Sequence, residues 1–122
     1  LNRLKNNIIF YKKENGVSPA EEFIDSLPVK HKAKALWEID LLEEYGTNLK
    51  DPYASQVTGS RYKGLWELRI KFASDISRIF YFMPVGKVFI ILHGFVKKSK
   101  ETPENELETA LRYMKECLRR IK

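Results

Sequence analysis

Two arginines and a run of lysines are the side chains in this sequence best suited to chemistry on phosphates. Arg69 stands in the segment LWELRI, Arg78 in SRIFYF, and Lys97, Lys98 and Lys100 crowd the segment KKSK. A guanidinium offers a planar fork of donors that matches phosphate oxygens and stays charged when partly buried, whereas an ammonium acts as a point charge. Between positions 61 and 100 nine basic residues (Arg61, Lys63, Arg69, Lys71, Arg78, Lys87, Lys97, Lys98 and Lys100) face only two acids, Glu67 and Asp75. The remaining residues carry 13 basic and 14 acidic side chains, so the formal net charge of +6 is a regional property. A regional excess of cations points to a surface that meets phosphates. His93 adds a group whose ordinary pKa lies near neutrality and which could serve as general acid or base.

Each of these residues also has a plainer reading. Arg78 could be a strand arginine paired with Asp75 or Glu67, since a buried charge needs a partner. His93 lies in an apolar run, where a hydrogen-bonded structural histidine is equally at home. The lysines of KKSK could be a solvated loop. Tyr81 and Phe95 could stack on a base, although core packing is the default for such rings. His31 falls in a charged helix start and reads as a surface residue, and Cys117 falls on the apolar side of the last helix, a core position.

The elements that must position these groups can be traced along the chain. Ile8, Ile9, Phe10 and Tyr11 make a strand over 6–12, ended by the turn signal Asn15-Gly16. Ser18, Pro19 and Glu21 form a capping-box start for a short helix to about 27, where Pro28 forbids continuation. A longer helix over 29–45 has two apolar stripes, Ala35, Leu36, Ile39 and Leu42 beside Ala33, Trp37, Leu41 and Tyr45. That width predicts packing against both the sheet and the first helix. Residues 47–59 have loop composition. Alternation over 65–72 places Glu67, Arg69 and Lys71 on one face and Trp66, Leu68, Ile70 and Phe72 on the other. Strands over 76–83 and 87–95 follow, joined at Met83-Pro84-Val85-Gly86, the last of them apolar enough to be covered on both faces.

Register decides which cations meet. With Pro84 and Val85 as the two loop residues, Arg78 would oppose Ile91 and His93 would oppose Ile76, putting Arg78 and His93 on one face. The turn through Ala73, Ser74 and Asp75 decides whether Arg69 joins them, because a one-residue slip reverses every side chain. A final helix begins near Thr102 and Pro103, with Leu107, Ala110, Leu111, Met114, Leu118 and Ile121 as its stripe. The expected fold is α+β: a small twisted antiparallel sheet of about four strands, N-terminal helices packed on it and a C-terminal helix, in one domain over 1–122.

Composition narrows the function classes. A hydrophobic fraction of 43% and 15 aromatic residues argue for a folded globule rather than a disordered chain. The lone Cys117 rules out an internal disulfide and a multi-cysteine zinc site, and suits a reducing cytosol. No apolar run reaches the length of a membrane span, and no apolar signal segment opens the sequence, so a cytoplasmic protein without membrane contact is expected. No H-E-x-x-H motif, glycine-rich phosphate loop or carboxylate cluster is present, so neither a metal nor another cofactor is expected.

The segments LWELRI, SRIFYF, LHGF and KKSKETP, in this order and spacing, resemble the HigB-like branch of the RelE and ParE toxin superfamily, small toxins of bacterial toxin–antitoxin operons related to a phage-encoded family. The similarity spans about 65–110, and the order of elements elsewhere agrees with it. The resemblance implies a RelE-like fold and a type II toxin that acts as an endoribonuclease on messenger RNA at the ribosome. It also implies a cognate antitoxin, a helix-turn-helix DNA-binding protein of the HigA kind. It implies functional roles for Arg69, Arg78, Lys97 and Lys98, with Lys71 and His93 as additions; joined to the charge cluster, this makes Arg69, Arg78, His93 and Lys98 the catalytic candidates and Lys71, Lys97, Lys100, Arg61 and Lys63 the phosphate contacts. Two alternatives stay open: inhibition of DNA gyrase in the manner of ParE, and a phage-derived nucleic-acid-binding protein without catalysis.

Overall fold

The computed structural model describes residues 6–121, so the outermost residues of the expected 1–122 domain lie outside the described part. Strand β1 (Asn7–Phe10) is followed by helices α1 (Pro19–Ser26) and α2 (Val29–Tyr45). The Ser18 side chain accepts from the Glu21 amide at 3.3 Å and Pro19 occupies the first turn, which is the capping-box geometry the sequence implied. Gly46 ends α2 with φ +55, a conformation glycine adopts without strain. Next come β2 (Ala54–Gln56), β3 (Trp66–Phe72), β4 (Asp75–Phe82), β5 (Val88–Lys97) and α3 (Glu104–Ile121), with single 3-10 turns at Gly46–Asn48 and Ser60–Tyr62.

The five strands form one open sheet in the order β1-β5-β4-β3-β2. The α+β class, the N-terminal helices and the C-terminal helix are as expected, and the arrangement is consistent with a RelE-like fold. Two features differ from the sequence reading. The sheet is mixed, because β1 pairs parallel with β5 from Asn7 opposite Val88 to Phe10 opposite Ile91. Part of the expected 47–59 loop also forms the edge strand β2, which pairs with Trp66 to Leu68 and is too short to show a period of its own.

Parallel pairing of β1 makes β5 an interior strand, and the helices cover it on both sides. Helices α1 and α2 lie over Leu68, Ile70, Ile79, Tyr81, Phe89 and Ile91. Helix α3 lies over Phe80, Phe82, Ile90, Leu92 and Phe95 on the opposite face. Tyr81 and Phe95 are therefore core residues, and Cys117 packs against the α3 side of the core. The α2 contacts run to both β3 and α1, as its width predicted. Leu36, Trp37 and Tyr45 of α2 nonetheless remain 43%, 46% and 53% exposed. His31, expected at the surface, is buried, because the first turn of α2 covers the end of the β3–β4 hairpin and sets the imidazole edge-on to Phe72 at 5.1 Å.

Register is where the structure corrects the sequence most. A two-residue loop, Ala73-Ser74, joins Phe72 to Asp75 and places Arg69 directly opposite Arg78. In the second hairpin Arg78 opposes Phe95 rather than Ile91, and His93 opposes Phe80 rather than Ile76. The turn lies further along the chain than expected, with the Val88 amide donating to the Val85 carbonyl at 3.0 Å; Pro84 has no N–H to offer a ladder. An irregularity beside Phe80 and Tyr81, opposed by His93 and Ile91, leaves Leu92 as an extra residue in β5. Arg78 and His93 still share a face, but through different partners.

Gly94 has the tightest surroundings of any sheet glycine here: a Cβ at this position would lie 2.4 Å from the Phe23 ring of α1. Gly94→Ala should therefore push α1 from the sheet and lower stability by about 1–3 kcal/mol, the usual cost of overpacking. Urea denaturation of the two proteins measures it, and an unchanged midpoint would show that α1 yields freely.

Candidate nucleic-acid interface

Successive strands bring four charged side chains together on the sheet face that α3 covers. Arg69 on β3 opposes Arg78 on β4, Glu67 opposes Phe80, and Ile76 opposes Lys97 on β5. Two like charges directly opposite each other on a sheet repel. Glu67 compensates: its Oε2 lies 3.4 Å from Arg69 Nε and 3.2 Å from Arg78 Nε. Arg69 also donates to Asp51 Oδ1 at 2.8 Å. The plainer sequence reading of Arg78, a strand arginine paired with Glu67, is thus physically present, and Asp75 is not its partner.

That pairing leaves Arg78 only partly satisfied. Its side chain is 11% exposed, and the Nε hydrogen does not point at the nearby Glu67 oxygen, so a buried donor stays without a hydrogen bond. Burial lowers the Arg78 pKa, Arg69 lowers it further, and Glu67 opposes both. Lys97 is affected in the same way: burial first, then Arg78, lower its pKa, with Glu67 opposing and Arg69 adding to the fall.

A cleft of about 390 Å³ opens over this cluster, lined by Glu67, Arg69, Lys97, Lys100 and Glu101 together with Thr58 and Leu107. Arg78 adjoins it through Glu67. Of the residues singled out from the sequence, Arg69, Arg78, Lys97 and Lys100 are therefore brought together. The others sit elsewhere. Lys98 is exposed just beyond the end of β5. Lys71 lines a neighbouring cleft with Lys34, Glu38 and Arg69, so it reaches the cluster only past Arg69. Lys63 borders a separate shallow cleft with Gln56 and Gly64.

Arg61 and His93 pair with carboxylates of α3, although Arg61 stays exposed. Arg61 donates through Nε and a terminal nitrogen to Glu108, each at 2.6 Å, and the Tyr62 hydroxyl donates to the same carboxylate at 2.7 Å. These donors hold the Glu108 pKa down to about 2. His93 Nε2 lies 2.7 Å from Glu106 Oε1, with the Phe80 and Tyr113 rings close by. A neutral imidazole must carry its proton on Nε2 to make that bond. Among the described residues no set of His, Cys, Asp and Glu is grouped to hold a metal. No described helix is long and apolar enough to cross a membrane.

The sequence reading missed Glu67 as a member of the site. The signal was available, because alternation alone put Glu67 on the Arg69 face, but its position between two arginines depends on the β3–β4 register.

A family model described as Phage derived protein Gp49-like (DUF891) matches residues 22–115, a span that includes every member of the cluster. The chain belongs to this phage-derived, Gp49-like family. It is a toxin-like family related to the RelE and ParE types of toxin. A search of curated proteins found no match.

In this Gp49-like protein a second unexpected carboxylate lies behind the cluster. Glu38 of α2 is 1% exposed, lines a cleft of about 460 Å³ with Arg69, Lys71 and Tyr53, and has no hydrogen-bond partner on either oxygen. Its nearest cation is Lys34 Nζ at 3.4 Å. Burial raises the Glu38 pKa to about 7 against the weaker pull of Lys34. Because the folded pKa exceeds the unfolded one, the folded state holds the proton longer, and stability should fall as pH rises from about 4.5 to about 7. Glu38→Gln removes this titration. The melting temperature of the variant relative to the parent should climb between pH 5 and pH 8, and a difference that stays flat across that range would refute the assignment.

Proposed function

We propose that this protein is the toxin of a type II toxin–antitoxin pair, close to the HigB-like branch, and that it cleaves messenger RNA at the translating ribosome. The observation that carries this reading is the convergence of Arg69, Arg78 and Lys97 around Glu67, with Arg69 and Lys97 lining the cleft and Arg78 adjoining it. The reaction is attack of a ribose 2′-hydroxyl on the adjacent phosphate, which passes through a dianionic phosphorane and expels the 5′-oxygen. Arg69 and Arg78 supply forked donors for the equatorial oxygens. Glu67 is the carboxylate in reach of both arginines and takes the proton of the attacking hydroxyl. Lys97, with its lowered pKa, returns a proton to the leaving 5′-oxygen.

An incoming phosphate competes with Glu67 for the two arginines, so the internal ion pair keeps the cationic site assembled before RNA arrives. Holding the 2′-hydroxyl in line is then the larger task, and the ribosomal A site provides that positioning. The partners that follow are messenger RNA on the ribosome and a helix-turn-helix antitoxin of the HigA kind, all in the cytoplasm. His93, tied to Glu106, serves α3 docking in this scheme, and Lys98 contributes long-range attraction for the RNA.

Induction in bacteria followed by primer-extension mapping tests the activity. New mRNA 5′ ends at codon positions should appear and should vanish when translation of the reporter is blocked. Intact mRNA together with DNA damage would overturn the reading in favour of gyrase inhibition. Arg78→Ala should lose about 2.7–4 kcal/mol of transition-state stabilisation, a hundredfold or more in cleavage, and should permit growth. Arg78→Lys should recover only part of it, because an ammonium lacks the fork. Full toxicity of a normally melting Arg78→Ala protein would remove Arg78 from the mechanism.

A further inference from the structure

A further cleft lies away from the Arg69 and Lys97 site. It has a volume of about 650 Å³ and is bounded by Lys13 and Glu14 after β1 and by Arg112, Glu116, Arg119 and Arg120 of α3. Helix α3 rises about 27 Å over its 18 residues and has its N-terminal end at the first cleft, so the two clefts sit toward opposite ends of one helix.

Four cations crowd this groove, and most of them are held there without being neutralised. Tyr11 and Tyr113 stack at 4.9 Å, Lys13 and Arg112 lie 6.0 and 5.3 Å from the Tyr113 ring, and Arg120 lies 5.4 Å from Tyr11. A ring face attracts a cation but does not cancel its charge. Glu116 pairs with Arg120, and Arg120 also donates to the Lys12 carbonyl. Among the described residues no ion pair holds Lys13, Arg112 or Arg119. Arginines at a helix C-terminus complement its dipole, which accounts for Arg119 and Arg120 but not for Arg112 or Lys13.

The groove also contains a second polar feature of a different kind. Tyr11 lines the groove but is only 3% exposed, and its buried hydroxyl faces the Glu116 carboxylate without a well-aligned hydrogen bond. Burial and then the nearby Glu116 raise its pKa to about 12, so the hydroxyl keeps its proton and remains a donor. Glu116 is shared between the Tyr11 hydroxyl and Arg120, so Lys13, Arg112 and Arg119 are left without an ion pair where cations repel one another, which suits an anion with several oxygens.

We propose that this groove is a second phosphate site, in which Lys13, Arg112 and Arg119 hold RNA backbone remote from the bond that is cut. The inference rests on the RNA-cleaving reading for the identity of the anion. The acidic residues Glu104, Glu106 and Glu108 occupy the first half of α3, between the two clefts, so the RNA touches the helix at its ends rather than along its length.

Binding of a fluorescein-labelled 2′-O-methyl RNA, which lacks the attacking hydroxyl, tests the groove by anisotropy over a salt series. Arg112 and Arg119 are exposed, so the double variant Arg112→Gln/Arg119→Gln should fold normally. It should bind roughly tenfold more weakly, with a slope of log affinity against log salt shallower by about 1.4, the value for two lost single-strand phosphate contacts. Lys13→Gln, at an exposed position, should weaken binding a few-fold at an undiminished melting temperature. Lys97→Gln provides the comparison for the first cleft. Unchanged affinity and slope in the groove variants, with weakened binding by Lys97→Gln, would overturn the second site and leave the RNA-cleaving reading standing. Weakened binding by the groove variants, in a protein whose induction leaves mRNA intact, would support the site while the cleavage reading fell. Displacement of the RNA by polyglutamate at equal charge concentration, abolished in the groove variants, would reassign the groove to an acidic protein partner and overturn the RNA assignment.

Discussion

The carboxylate of Glu67 is the contact on which the charged face of this protein depends. Strand pairing forces Arg69 and Arg78 into direct opposition, and two guanidinium groups at that separation would repel and splay the hairpin. One carboxylate oxygen within 3.4 Å of both makes the arrangement tolerable. Arg69, Arg78, Lys97 and Lys100 outnumber Glu67, Glu101 and the Asp51 paired with Arg69, so the net charge around Glu67 stays positive. The result is a cationic centre that is stable when empty and still short of negative charge, which is a useful condition for binding a phosphate.

The sheet supports that centre by separating two tasks on its two faces. The α1 and α2 side is dry and closely packed, with Gly94 providing the space into which Phe23 fits. The α3 side is apolar at Phe80, Phe95 and Leu111 and becomes charged toward the end of β5. Helix α3 is secured to that side by pairs that use residues the sequence had marked for function: Arg61, read as a phosphate contact, with Glu108, and His93, read as catalytic, with Glu106. Cations on one stretch of chain are therefore divided between fastening a helix and leaving a cleft open. Burial of the helix stripe stops before its end, since Leu118 and Ile121 are 39% and 54% exposed.

The local signals in the sequence were sufficient for much of this. Ser18, Pro19 and Pro28 bound α1, Gly46 ends α2, and the alternation of Trp66 to Phe72 identifies β3, because caps, proline and two-residue periodicity act within a few positions. The concentration of Lys and Arg between 61 and 100 was equally visible, as was its meaning for a phosphate-binding surface.

What only the tertiary structure decided are the relations between segments far apart in the chain. The parallel pairing of Asn7–Phe10 with β5, the edge strand Ala54–Gln56, the extra residue Leu92 and the partners of Arg61, His93 and Glu38 all depend on distances that no local pattern contains. Side-chain identity sets which charges exist and which face of its own strand each one takes. Register, which responds to a single residue in a turn, sets which of those charges meet, and here the two-residue Ala73-Ser74 turn brought Arg69 to Arg78 across Glu67.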